Sequence, residues 1–164
     1  MQDNKLIKAL VLNAQLGNNS AFEQLYQITI DQIYALILRL NGNPKTAETL
    51  VKKTYVNAWL NISKKDEFTS FASWLKKIAV KTVFREKIDN DASIDDEELG
   101  PLLSKSPLEK YIQELDFNNK LVFILHDIEN FSVEDISKLM GLPDKEIKKI
   151  LVTTRDHLIN LTEE

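Results

Sequence analysis

The sequence predicts an all-α protein built as two helical domains joined by an acidic linker. Apolar residues recur at three- and four-residue spacing along most of the 164 residues. Four glycines and four prolines fall between those periodic segments, too sparsely for a turn-rich sheet fold. From residue 91 to 106 the period stops and Asp, Glu, Ser, Gly and Pro take over, including Asp95-Asp96-Glu97-Glu98, a stretch too polar to bury itself.

Leu6, Ile7, Leu10, Val11 and Ala14 define a first helix that Gly17 closes. Ser20 with Glu23 forms a capping box for a second, whose stripe is Phe22, Leu25, Tyr26, Ile30, Ile33, Tyr34, Ile37 and Leu38, up to Asn41-Gly42. Asn43-Pro44 supplies an N-cap and a first-turn proline, and Ala47, Leu50, Val51, Tyr55, Ala58 and Trp59 carry a third helix to about Asn61. Ser63 to Glu67 reads as a loop. Thr69 or Ser70 then opens a fourth helix through Trp74, Leu75, Ile78, Ala79, Val83 and Ile88, completing a first domain over residues 1–90.

The second domain, residues 107–164, starts at Ser106-Pro107-Leu108-Glu109, which combines an N-cap, a first-turn proline and a capping-box glutamate. Asp116 caps the next helix, whose face is Leu121, Val122, Leu125 and Ile128. Ser132 with Asp135 opens a short helix ending at Met140-Gly141, and Ile147, Ile150, Leu151, Leu158 and Leu161 mark a longer one after Pro143. A short helix, a glycine turn and a longer helix have helix-turn-helix spacing. Spacing alone leaves two readings open, a DNA reader and a trihelical packing unit.

Several function classes drop out. No stretch reaches the about 18–20 apolar residues of a membrane span, and the N-terminus lacks the pattern of a secretory signal, so the cytoplasm is the expected location. Zero cysteines exclude disulfides and thiolate metal sites, and only two histidines remain, so neither metal nor cofactor is expected. There is no phosphate-binding glycine loop, HExxH or GxSxG, and the expectation is a protein that is not an enzyme. His126 reads as a partly buried structural histidine, and His157 as a partner of a helix C-terminus. Charge is split unevenly: residues 1–90 hold 13 Lys+Arg against 8 Asp+Glu, residues 91–106 hold 1 against 5, and residues 107–164 hold 7 against 12. An acidic second domain suits a polyanion poorly, since DNA affinity comes largely from cations that neutralise phosphates.

Asn19-Ser20-Ala21-Phe22-Glu23-Gln24-Leu25-Tyr26, then Ala47-Glu48, Thr54-Tyr55 and Ala58-Trp59, then Ser70-Phe71, Trp74-Leu75 and Ile78-Ala79, resemble in order and spacing the σ2-type domain of extracytoplasmic-function (ECF) sigma factors of the sigma-70 family. Leu121 to Leu125 with Glu129, Phe131-Ser132, Asp135-Ile136 and Leu139-Met140-Gly141-Leu142-Pro143 is similar to their σ4-type domain. The resemblance covers nearly the whole chain. It implies a σ2-like four-helix unit and a σ4-like helix-turn-helix unit that bind bacterial RNA polymerase core, through its β and β′ subunits, and promoter DNA. Glu48, Thr49, Lys52, Lys53 and Trp59 would meet the polymerase. The loop of Ile62 to Phe68, with Lys64, Lys65 and Phe68, would receive a flipped base of the −10 element, and Lys76, Lys77, Lys81 and Arg85 would line the DNA backbone. Lys145, Glu146, Lys148 and Lys149, with Asp144, would face the −35 element or a protein partner.

The family usually has Asp, Gln and Glu where this chain has Thr49, Lys52 and Lys53, and Asn and Asp where it has Lys81 and Arg85. Its Thr, Ser, Arg and Arg of the recognition helix are here Glu146, Lys149, Ile150 and Thr153. The expectation is therefore a divergent sigma factor with weakened autonomous −35 recognition, directed to DNA by a partner such as an RNA-guided complex. The alternative is a sigma mimic that sequesters an anti-sigma factor without binding DNA. A helix-turn-helix regulator unrelated to polymerase is a third reading, against which the σ2-type matches count.

Overall fold

A computed structural model describes residues 2–89 and 106–163, all of whose regular elements are helical. The acidic run Asp95 to Glu98 expected in a linker lies outside the described residues. The chain divides into two compact units, Met1–Glu97 and Glu98–Glu164.

In the first unit α1 spans Gln2–Gln15, α2 Asn19–Asn41, α3 Pro44–Asn61 and α4 Phe71–Asp89, with a 3-10 turn at Ile62–Lys64. Helix α2 packs against α1, α3 and α4, and α3 also packs against α4. The contacts are made by Leu25, Leu36, Ile37, Leu50 and Leu75, all fully buried, with Ala47, Ala58 and Ala79 letting the backbones approach. Three stripe residues fall outside this core: Leu6 and Ile88 are 53% and 63% exposed, because each sits near the outer end of its helix, beyond the packed stretch, and Tyr26 is 40% exposed at the margin of α2.

The caps follow local side-chain chemistry. Asn43 Oδ1 accepts the Thr46 N–H at 3.1 Å, as Asn-Pro predicts. At α2, however, Asn18 and not Ser20 is the N-cap, its Oδ1 accepting from the Ala21 N–H at 3.1 Å. The turn is already helical at Asn19, so Ser20 lies inside it. Helix α4 opens where Ser70 Oγ takes the Ser73 N–H at 3.2 Å.

The second unit contains α5 (Pro107–Glu114), α6 (Phe117–Phe123), α7 (Val133–Met140) and α8 (Asp144–Glu163). Ser106 precedes α5 but its side chain makes no cap bond, while Pro107 takes the first turn as expected. Helix α6 runs on as a π-helical turn, Ile124–Ile128, in which the Glu129 N–H reaches the Ile124 carbonyl at 2.9 Å. The chain leaves it through Asn130, at φ +60°, a left-handed conformation that Asn tolerates better than most side chains. Ser132 Oγ accepts the Asp135 N–H at 3.0 Å to start α7, and Gly141, at φ +67°, ends it. Helices α5, α6 and α7 all pack on α8, around Ile112, Leu121, Leu125, Ile136, Ile147 and Leu158.

Two polar features of this unit stand out. Arg155 on α8 clamps Asp127 at the end of the π turn: Nε donates to Oδ2 at 2.8 Å and Nη2 to Oδ1. His126, half-buried as its sequence position suggests, brings Nδ1 to 2.8 Å from Asp127 Oδ1. The second feature is Thr154, 1% exposed, whose hydroxyl has no hydrogen-bond partner.

Two stability measurements test this core. Thr154→Val keeps the shape and removes an unsatisfied hydroxyl, and should stabilise the second unit by about 1 kcal/mol in denaturant unfolding. A destabilised variant would contradict the observed isolation of that group. Hydrogen bonding to Arg155 holds the Asp127 carboxyl below the usual carboxylate range. A carboxyl depressed in the folded state adds stability at pH above its unfolded value, and the gain is lost as pH falls through the lower, folded value. Asp127→Asn should therefore cost up to about 1 kcal/mol at neutral pH, given the partial solvent screening of the pair, and its cost should vanish in acid well below about pH 4.

Candidate polymerase and nucleic-acid surfaces

The polar residues of α3 lie opposite its buried stripe, so Glu48, Thr49, Lys52 and Lys53 are all exposed. A groove between α3 and α4 is lined by Thr49, Lys52, Lys53 and Val56 on one side and by Arg85 and Glu86 on the other. Lys53 Nζ bridges it to Glu86 Oε2 at 3.0 Å. The structure thus brings Arg85, expected on the DNA side, next to the residues expected to meet polymerase.

Trp59 is not part of this groove. It is half-buried against Phe22, with ring centroids 5.0 Å apart, in an aromatic edge between α2 and α3 that continues through Tyr55 and Tyr26, 4.7 Å apart. The Tyr55 hydroxyl lies 2.8 Å from Thr29 Oγ1, and burial pushes its pKa up to about 12, so it stays neutral.

The segment between α3 and α4 is held from within and from α1. Asp66 Oδ1 accepts the N–H groups of Phe68 and Thr69 at 2.8 and 2.7 Å, and its Oδ2 accepts the Thr69 hydroxyl at 3.2 Å. These bonds, that to Thr69 foremost, hold the Asp66 carboxyl below the usual range. Lys65 Nζ donates to the carbonyls of Asp66 and Thr69, which turns it inward, whereas Lys64 is exposed and Phe68 is 90% exposed. Gln15 Nε2, from α1, donates to the carbonyls of Ile62 and Lys65 at 3.0 and 3.1 Å. On α4, Lys81 and Arg85 are exposed one turn apart, while Lys76 and Lys77 are half-buried.

Gln15 and Asp66 were not among the residues singled out from the sequence. The Asp66-x-Phe68-Thr69 spacing carried a local signal, since an Asp that accepts from N–H groups two and three residues on makes a turn. Gln15 carried none, because its partners lie 47 and 50 residues away.

In the second unit Asp144, Lys145, Glu146, Lys148 and Lys149 all stand exposed on the first turns of α8, around buried Ile147. Asp144 and Glu146 occupy the positive end of the helix dipole. A DNA phosphate would be drawn to that same place, and the two carboxylates oppose it. Arg155, the remaining cation of this helix, is committed to Asp127. Among the described residues no group of three or more His, Cys, Asp or Glu side chains could hold a metal ion, and no helix is long and apolar enough to cross a membrane.

Residues 105–158 match the family model for sigma-70, region 4. Over the chain as a whole, the ECF RNA polymerase sigma factor SigW of Bacillus subtilis is 22% identical, across 93% of this chain and 95% of that protein. SigM of the same organism is 21% identical, across 83% and 91%. Among solved structures, the fold is that of CnrH, seen in complex with the cytosolic domain of CnrY (TM-score 0.69, 20% identity, 96% of this chain and 97% of that one). It is also that of the Bartonella quintana sigma factor RpoE, seen with the anti-sigma factor NepR (TM-score 0.68, 23% identity, 87% and 96%). The order of helical motifs, the helix-turn-helix and these likenesses agree: residues 105–158 match sigma-70 region 4, and over most of its length the chain is similar in sequence and in fold to ECF sigma factors.

Proposed function

We propose that the protein binds bacterial RNA polymerase core in the cytoplasm and contacts melted promoter DNA through its first unit, while its second unit engages protein in preference to −35 DNA. The observation that carries this is the contrast in charge and preorganisation between the two candidate DNA surfaces. The loop before α4 is fixed by hydrogen bonds, exposes an aromatic ring at Phe68 and is followed by the cations Lys81 and Arg85. That combination of a stacking surface and phosphate-neutralising charge suits a single strand. The start of α8 instead interleaves Lys145, Lys148 and Lys149 with Asp144 and Glu146, which cancels much of the field a duplex would feel. Addressing to DNA then falls to a partner docked on the second unit, for which an RNA-guided complex is one form.

The α3 side of this groove is basic at Lys52 and Lys53, so its counterpart on the native polymerase is an acidic surface. Lys52→Glu/Lys53→Glu should weaken assembly with the native core at least about tenfold, measured by co-elution and by titration at two salt concentrations, since several close charge pairs change sign. Unchanged or tighter binding would place the polymerase contact elsewhere. The second reading, a mimic that sequesters an anti-sigma factor without touching DNA, draws on the same altered α3 surface. Tight binding of an anti-sigma protein by a chain that never co-elutes with core would favour it, and recovery of core polymerase in a pull-down from the native host would rule it out.

A further inference from the structure

Between α1 and the loop that precedes α4 lies a cleft of about 390 Å³, whose walls include Ile7, Val11 and Leu12 of α1 and, across from them in sequence, Phe68 and Phe71. Phe71 is buried and belongs to the core, but Phe68 is 90% and Leu12 63% exposed. A solvated phenyl ring on a loop is unremarkable when the loop is loose, because the ring can fold down onto the nearest apolar surface. This loop has little such freedom. Its amides at Phe68 and Thr69 are tied to Asp66, its carbonyls at Asp66 and Thr69 to Lys65 Nζ, and its carbonyls at Ile62 and Lys65 to the single side-chain amide of Gln15. The last pair is the only one of these three ties that reaches outside the loop, to the helix forming the opposite wall.

We propose that Gln15 is the positioning residue of a nucleobase slot formed by α1 and this loop: by holding the Ile62 and Lys65 carbonyls it sets the spacing between Leu12 and Phe68 at which one unpaired base of single-stranded DNA inserts. The proposal rests on the reading that the first unit contacts melted DNA, and adds α1 to that contact. A base is flat, with two apolar faces, and fits a slot with an aromatic side and an aliphatic side. Lys8, which lines the same cleft, and Lys64, exposed on the loop, supply charge for the flanking phosphates. Glu67, also at the cleft, is an acceptor for the exocyclic amino group of a cytosine or adenine.

The test is an NMR titration of the full chain with a short mixed-sequence single-stranded DNA, following the Leu12 methyl and Phe68 ring signals, which an inserted base shifts by its ring current. Gln15→Met removes both donors at nearly constant length. It should lower the apparent affinity read at these two residues about tenfold, the cost of ordering a loop that was previously held ready. The amide of Lys65, bonded to the Ile62 carbonyl at 3.1 Å, should exchange faster with solvent, while the salt dependence of binding stays as it was because no cation is lost. Gln15→Glu, of the same shape but without the donors, should likewise weaken the binding read at these two residues and speed exchange of the Lys65 amide, and guards against a packing defect in the first variant; because it adds a charge, the salt dependence is read on Gln15→Met alone. Phe68→Ala separates the two levels of the claim. If it abolishes the Leu12 shift and neither Gln15 variant weakens it, Gln15 has no positioning role and this proposal falls alone. If Phe68→Ala leaves binding intact, the reading of the loop as a DNA contact falls as well. Equal shifts of Leu12 and Phe68 on adding a base-free polyanion would overturn the slot.

Discussion

Helix α2 is the element on which the first unit depends. With α1, α3 and α4 all packed against it through Leu25, Leu36 and Ile37, every surface of interest inherits its placement from one continuous buried stripe. The α3–α4 groove exists because both helices lean on the same partner. The aromatic edge exists because Phe22 and Tyr26 lie at the less buried margin of the α2 stripe, where they meet Tyr55 and Trp59. Even the loop before α4 is indirectly held by it, since α1 can offer Gln15 to the loop only while it is docked on α2.

On that frame, charge is divided unevenly between the two units. The first carries a net positive charge and offers it on exposed turns of α3 and α4. The second is acidic, and the end of its longest helix that would approach a duplex carries carboxylates at the positive pole of the dipole. Those carboxylates are favourable for the helix itself. What stabilises α8 as a structural element therefore disfavours it as a phosphate reader, and the helix-turn-helix is better formed as a fold than equipped for DNA.

Much of this was legible in the sequence, because most helix boundaries are set by local chemistry. Asn43-Pro44, Ser132 with Asp135, and Gly141 each act within four residues of themselves, and they act as their types predict. The failures have physical reasons. Asn18 and Ser20 are both good caps two positions apart, and local preference does not rank them. The π turn at Ile124–Ile128 continues an apolar stripe, so periodicity sees an unbroken helix. The Arg155 clamp on Asp127, the Tyr55–Thr29 contact and the Gln15 latch join residues 26 to 50 positions apart. Only the packed chain brings them together. The candidate site was likewise half legible: its exposed cations and Phe68 were named by type, whereas the inward turn of Lys65, the separation of Trp59 from the α3 groove and the wall supplied by α1 are tertiary facts.

The central claim, as proposed above, is that melted DNA meets the first unit and that α8 engages protein in preference to upstream duplex. Photo-crosslinking in a reconstituted complex of polymerase core, this protein and a template with a preformed bubble tests it most directly, with a crosslinker placed in turn at Phe68 and at Lys149. The account predicts crosslinks from position 68 to the non-template strand within the bubble, and none from position 149 to upstream duplex. Strong upstream crosslinks from position 149 with none from position 68 would contradict it.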